Sequence, residues 1–161
     1  MEKNLVIGAS GQLGIELILG LQERFGIDSV VASDIKKCDD ELVNRSEFIL
    51  LDATDTNSVR KVIGECGCTT VYQLVAMLSA KGEANPKAAW DLNMKSLINV
   101  LDCAKDRIIE KVFWPSSIAV FGQNAPKTER LRRHFATPPP FMEFQKLLVK
   151  CGVITTMINT A

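Results

Sequence analysis

The run Leu5-Val6-Ile7-Gly8-Ala9-Ser10-Gly11-Gln12-Leu13-Gly14 constrains this chain more than any other stretch. A short apolar run flows into glycines three residues apart, and helical spacing follows at once in Leu13, Leu17, Ile18, Leu21 and Phe25. A strand, a tight turn and a helix in that order lay backbone against a dinucleotide pyrophosphate. Gly8 supplies the turn, Gly11 leaves no side chain between backbone and phosphate, and Gly14 allows close helix–strand packing. The N–H groups of the helix N-terminus then face an anion with a favourable dipole. Asp34 ends the next apolar run, Val30-Val31-Ala32-Ser33, about twenty residues on. A carboxylate there accepts hydrogen bonds from ribose hydroxyls and repels a 2′-phosphate, which favours NAD over NADP. Lys36 and Lys37 follow closely and soften that preference.

The pattern after Asp34 alternates strand and helix. Phe48-Ile49-Leu50-Leu51 reads as a third strand ending at Asp52, and Asp55 caps a helix carrying Val59, Val62 and Ile63. Thr69 to Val75 reads as a fourth strand, followed by a loop from Leu78 to Asn85. Pro86 opens a long helix over 86–105 that is apolar on more than one face. Burial on two sides is expected of such a helix, one against the sheet and one against a second copy in a homodimer. Lys111-Val112-Phe113-Trp114 is a fifth strand. This order predicts an α/β fold, a doubly wound parallel sheet of the Rossmann type with right-handed crossovers.

The chain has 161 residues and a formal net charge of zero. That suits an ordinary globular protein and gives no basic excess for nucleic acid. No signal peptide or membrane span is visible. Five cysteines, an odd number at irregular spacing, suit a reducing cytoplasm. Cys66-Gly67-Cys68 invites a metal or redox reading. With no second cysteine pair and the single histidine, His134, far along the chain, no metal site is expected.

With these pieces in place the chain resembles the extended short-chain dehydrogenase/reductase superfamily, which includes nucleotide-sugar epimerases and dehydratases. The resemblance rests on the glycine triplet, Asp34, Leu51-Asp52, Asn93, and Ser116-Ser117-Ile118-Ala119-Val120-Phe121-Gly122. Within that group it is most similar to the short-chain L-threonine 3-dehydrogenases. That likeness lies in Leu78-Ser79-Ala80-Lys81-Gly82-Glu83, in Trp90-Asp91-Leu92-Asn93-Met94, and in Val112 to Gly122. It covers residues 3 to 128 and implies hydride transfer from the β-carbon of L-threonine to NAD. Cofactor contacts are then implied at Gly8, Gly11, Gln12, Leu13, Gly14, Asp34, Asp52, Ala53, Leu74, Val75, Ala76 and Asn93. Asp52 and Ala53 would meet adenine, and Leu74 to Ala76 the cofactor's middle. Ser79 would line the substrate pocket, and Ser117 would hydrogen-bond the reacting hydroxyl. Gln73 stands where relatives often carry histidine, and Val75 where alanine is usual.

The superfamily's proton transfer needs a tyrosine and a lysine four residues apart on the next helix, the lysine lowering the tyrosine pKa. The single tyrosine here, Tyr72, belongs to the fourth strand. His134, flanked by Arg132, Arg133 and Phe135, matches no family motif. From Glu129 onward the chain departs from the family pattern. Codons begun on the third base of each codon from Phe141 to Lys146 permit Tyr-Gly-Ile-Ser-Lys, the family's missing motif. The expectation is a base lost near codon 129 of an ancestral gene, leaving residues 1–128 as a dinucleotide-binding domain and 129–161 as an out-of-frame, poorly ordered tail without the C-terminal substrate domain. The function expected is therefore that of an L-threonine 3-dehydrogenase relative with weak or no activity. A non-enzymatic NAD-binding module is one alternative. A nucleotide-sugar epimerase or dehydratase is another, disfavoured by the short loop at Leu78 to Glu83.

Overall fold

The computed structural model describes residues 2–77 and 79–115. Its elements run β1 (Asn4–Ile7), α1 (Gln12–Phe25), β2 (Val30–Asp34), β3 (Glu47–Leu50), α2 (Thr56–Cys66), β4 (Thr70–Gln73), α3 (Ser79–Ala84), α4 (Pro86–Lys105) and β5 (Lys111–Phe113). The strands form one parallel sheet in the order β3-β2-β1-β4-β5. That is the strand order of a doubly wound dinucleotide-binding fold, with five strands among the described residues.

Strands with both faces covered read as continuous apolar runs, and β1 is buried along its whole length. Its alternating side chains divide the core in two. Leu5 and Ile7 join Val31 and Val71 beneath Val59 and Ile63 of α2 and Val100 and Cys103 of α4. Val6 joins Val30 and Ala32 beneath Ile18 and Leu21 of α1. One helix therefore lies on one face and two on the other. On the α1 face the rings of Tyr72 and Phe113 meet at a tilt of 47° with centroids 5.7 Å apart, and Phe113 remains 52% exposed.

α4 begins at Pro86, with the Asn85 side chain accepting from the Ala88 N–H at 3.2 Å. Asp55 caps α2 by accepting from the N–H groups of Asn57 and Ser58. Two expectations change. The stretch after Leu78, read as a loop, holds the six-residue helix α3. Six residues with an internal glycine are too few to register as a period. The cysteines, read as suiting a reducing compartment, include a disulfide between Cys66 and Cys68 across the left-handed Gly67, with Cα atoms 5.4 Å apart. Cys38 and Cys103 are free and buried. Among the described residues no group of three or more His, Cys, Asp or Glu side chains could hold a metal ion. No helix among them is long and apolar enough to cross a membrane.

Candidate dinucleotide site

β1 and β4 lie side by side, and the chain leaves them toward opposite faces of the sheet, α1 on one and α4 on the other. Open α/β sheets bind ligands in the crevice at such a switch point. The glycine turn sits there. Gly8 has φ of 95°, and a Cβ on it would come within 3.0 Å of the Val75 nitrogen and 3.1 Å of the Leu74 carbonyl carbon. Only glycine satisfies both the positive φ and the closeness of the β4 extension. Gly14 is buried in the first turn of α1, and a Cβ there would overlap the Gly8 carbonyl oxygen and lie 2.7 Å from that of Ala9. The turn is anchored to β2, since the N–H groups of Gly8 and Ala9 both donate to the Ser33 carbonyl at 2.9 and 3.0 Å.

The N-terminus of α1 is built to receive an anion. Its N-cap is Gly11, no side chain caps it, and no acidic residue occupies its first turn. Uncapped N–H groups at a helix start are satisfied by water or by a ligand. Gln12 and Leu13 stand exposed beside them, Leu13 at 67%. Leu13 fits the helical spacing of the apolar set yet lies outside the core, whereas Ile18 and Leu21 lie within it.

Asp34 closes β2 at the rim of this crevice. Its Oδ2 accepts from the Ser10 N–H at 3.0 Å and its Oδ1 from the Ile35 N–H at 2.7 Å. Each carboxylate oxygen keeps a further lone pair for a ribose hydroxyl. The Asp34 carbonyl accepts from the Leu51 N–H at 2.9 Å, which joins the β2 end to the β3 end. Asp52 is exposed, and its Oδ1 accepts from both the N–H and the hydroxyl of Thr54 at 2.8 and 2.7 Å. Ala53 is buried at 4% exposure.

On the other side of β1, Leu74 and Val75 are half-buried against Gly8, and Ala76 is exposed. The buried Asn93 of α4 accepts through Oδ1 from the Met77 N–H at 2.8 Å and so fixes the course of the chain beyond β4. Ser79 is the first residue of α3. Ser117 and the whole stretch from Ser116 onward lie outside the described residues.

Asn99 was not singled out from the sequence, and Gln73 was noted there only for its residue type. Asn99, buried at 5% exposure, donates from Nδ2 to the Ala53 carbonyl at 2.9 Å and accepts at Oδ1 from the Thr56 hydroxyl at 2.9 Å. Its signal was present: an asparagine on the stripe shared with Ser96, Val100 and Cys103 must find hydrogen bonds once buried. Gln73, at the end of β4, is fully buried, and among the described residues neither amide atom has a hydrogen-bond partner. Tyr72 packs on the sheet face, where burial, its largest influence, pushes the phenol pKa up. A phenol held neutral in mid-strand is no base for a hydroxyl proton.

A family model described as the NAD-dependent epimerase/dehydratase family matches residues 4–144. The chain belongs to that family. Its use of NAD follows from membership, and the glycine cradle and open helix start fit the group. The family match runs past residue 128, where the sequence motifs stop. An uncharacterized epimerase/dehydratase of Staphylococcus epidermidis is 41% identical to this family member over 128 residues, 79% of this chain and 40% of that protein. The GalE-like L-threonine dehydrogenase from Cupriavidus necator, in its holo form, is 46% identical with a TM-score of 0.72, over 77% of this chain and 40% of that one. L-threonine 3-dehydrogenase from Trypanosoma brucei is 33% identical with a TM-score of 0.84, over 94% and 47%. The chain thus spans less than half the length of these relatives.

Proposed function

We propose that this chain is the cofactor-holding part of an L-threonine 3-dehydrogenase and that, as a 161-residue chain, it binds NAD without appreciable turnover of threonine. The observation that carries the reading is the switch-point cradle, in which Gly8 lies against Leu74 and Val75, on a chain 46% identical to a threonine dehydrogenase. The uncapped start of α1, with Gly11, Gln12, Leu13 and Gly14, would take the pyrophosphate. Asp34 would hold the adenosine ribose, and Asp52 with the Ala53 backbone would meet the adenine. Leu74, Val75 and Ala76 would run along the middle of the cofactor, their course fixed by Asn93.

NAD, when bound, supplies the hydride acceptor. Ser79 would help enclose threonine, and Ser117 would hydrogen-bond its hydroxyl. Removing that hydroxyl proton needs a base of tuned pKa within hydrogen-bond reach. Tyr72, raised in pKa and set in β4, does not supply it. Calorimetric titration with NAD, paired with NADH absorbance in the presence of threonine, tests both halves. Saturable binding with no steady rise in absorbance is expected. A steady rise abolished by Ser117→Ala would overturn the claim of weak turnover, and an absence of binding would overturn the reading of the site.

The outer face of α4 carries Trp90, Met94 and Ile98 along a groove of about 580 Å³. We assign this face to a second copy of the chain. Light scattering should give a dimer mass that falls to the monomer in Ile98→Glu.

A further inference from the structure

We propose that Asn99 is a positioning residue for adenine recognition, resting on the reading that Asp52 and Ala53 meet the base. Ala53 is the link between β3 and α2, and its carbonyl oxygen is buried with the Asn99 Nδ2 as donor at 2.9 Å. The other end of the same amide accepts from Thr56 at the first residue of α2. One planar group therefore fixes the turn on both sides of Asp55. Asp52 lies immediately before this held carbonyl, and both bonds of its carboxylate fall on Oδ1. The peptide plane that Asn99 sets joins the Ala53 carbonyl to the Thr54 N–H, and that N–H donates to the Asp52 Oδ1 at 2.8 Å.

The placement on α4 gives the residue a second consequence. Asn93, six residues earlier, holds Met77 beyond β4, on the other side of β1 from Ala53. Six residues of helix rise about 9 Å, so a single rigid rod sets the distance between the adenine loop and the loop along the middle of the cofactor. Neither asparagine needs to touch the cofactor to do this. Each acts through backbone that would.

A merely structural role would lower stability and weaken every ligand alike. A positioning role changes the preference among bases. The probes are NAD and nicotinamide hypoxanthine dinucleotide, which differ at C6, an amino group against a carbonyl, and at N1, an acceptor against an N–H donor. Both are titrated calorimetrically into the full chain and into Asn99→Leu and Thr56→Val, with thermal melts to show that each variant is folded. Wild type is expected to favour NAD. In Asn99→Leu the affinity for NAD should fall about tenfold, which corresponds to about 1.4 kcal/mol, and the preference should shrink toward unity. Thr56→Val, which spares the Ala53 bond, should shift the preference the same way by less, and it carries the test if Asn99→Leu does not fold. A wild type that binds neither dinucleotide, or binds both equally, overturns the adenine reading and this inference with it. A wild type that discriminates, with the preference intact in every folded variant, overturns the role of Asn99 alone.

Discussion

The Asp34 carboxylate accepts a hydrogen bond from the Ser10 N–H at 3.0 Å, across 24 residues of sequence. With the bonds from Gly8 and Ala9 to the Ser33 carbonyl, this contact ties the end of β2 to the glycine turn. The residue expected to read the ribose therefore also holds the loop expected to take the phosphates. Asp34→Asn keeps an oxygen for Ser10 and removes the negative charge. Affinity for NAD should fall several-fold, and affinity for NADP should rise, because a 2′-phosphate is no longer repelled. Titration with both nucleotides measures the ratio, and a ratio unchanged by the substitution would refute the ribose assignment.

Two glycines of α1 make opposite predictions for one substitution. Alanine is favoured over glycine in a helix by about 1 kcal/mol. At Gly20 nothing lies within 4 Å of the new Cβ, so Gly20→Ala should stabilise the fold by up to about that amount. At Gly14 the new methyl group meets backbone oxygens of Gly8 and Ala9, which cannot swing away. Overpacking costs about 1–3 kcal/mol or more, which outweighs the propensity gain. Gly14→Ala should therefore lower the urea midpoint while Gly20→Ala raises it. Equal shifts of the same sign would show that close packing is not what Gly14 serves.

What was legible in the sequence was whatever a local backbone rule dictates. Gly8 and Gly14 announced the turn because positive φ at the first and close backbone approach at both admit few other residues. Pro86 and the apolar positions after it gave the bounds of α4, because a proline at N1 marks a start and twenty residues carry a clear period. α3 was missed because six residues carry none. Asn99 and the surroundings of Gln73 were not legible for another reason. Their meaning depends on which backbone group lies opposite in space, and spacing along the chain does not encode that for Ala53 and Asn99, 46 residues apart. Cys66-Gly67-Cys68 invited a metal or redox reading, but the odd cysteine total is a property of the whole chain, whereas a disulfide needs only one suitable local turn.

Gln73 offers a test of buried polarity. Its amide is fully buried, and neither atom has a hydrogen-bond partner among the described residues. Leaving a buried polar group unsatisfied costs about 1–3 kcal/mol. Gln73→Met keeps the length of the side chain and removes the amide, so the chain should unfold at a higher urea concentration with an unchanged slope. A lower midpoint would show that the amide is satisfied in solution by a partner that methionine cannot replace.

Asp55 sets the acid limb of stability. Its carboxylate accepts from the Ser58 hydroxyl at 2.8 Å and from the N–H groups of Ser58 and Asn57. The Ser58 side-chain bond is the largest of the causes that hold its pKa below the ordinary 3.8. A carboxyl whose folded pKa is depressed stabilises the fold fully above its unfolded value, and the contribution disappears as pH falls through the folded value. Asp106, lowered chiefly by its hydrogen bond from Arg60, acts in the same direction. Wild-type melting temperature should therefore drop as the pH is taken below about 4. Asp55→Asn keeps an N-cap acceptor and cannot titrate. The variant should melt below wild type at neutral pH, and the gap should narrow on acidification as wild type gives up the charged cap. The contact is exposed to solvent, so the gap is small and should shrink further in high salt. A gap that stays constant from neutral pH into the acid range would mean that the charge on Asp55 contributes nothing to the start of α2.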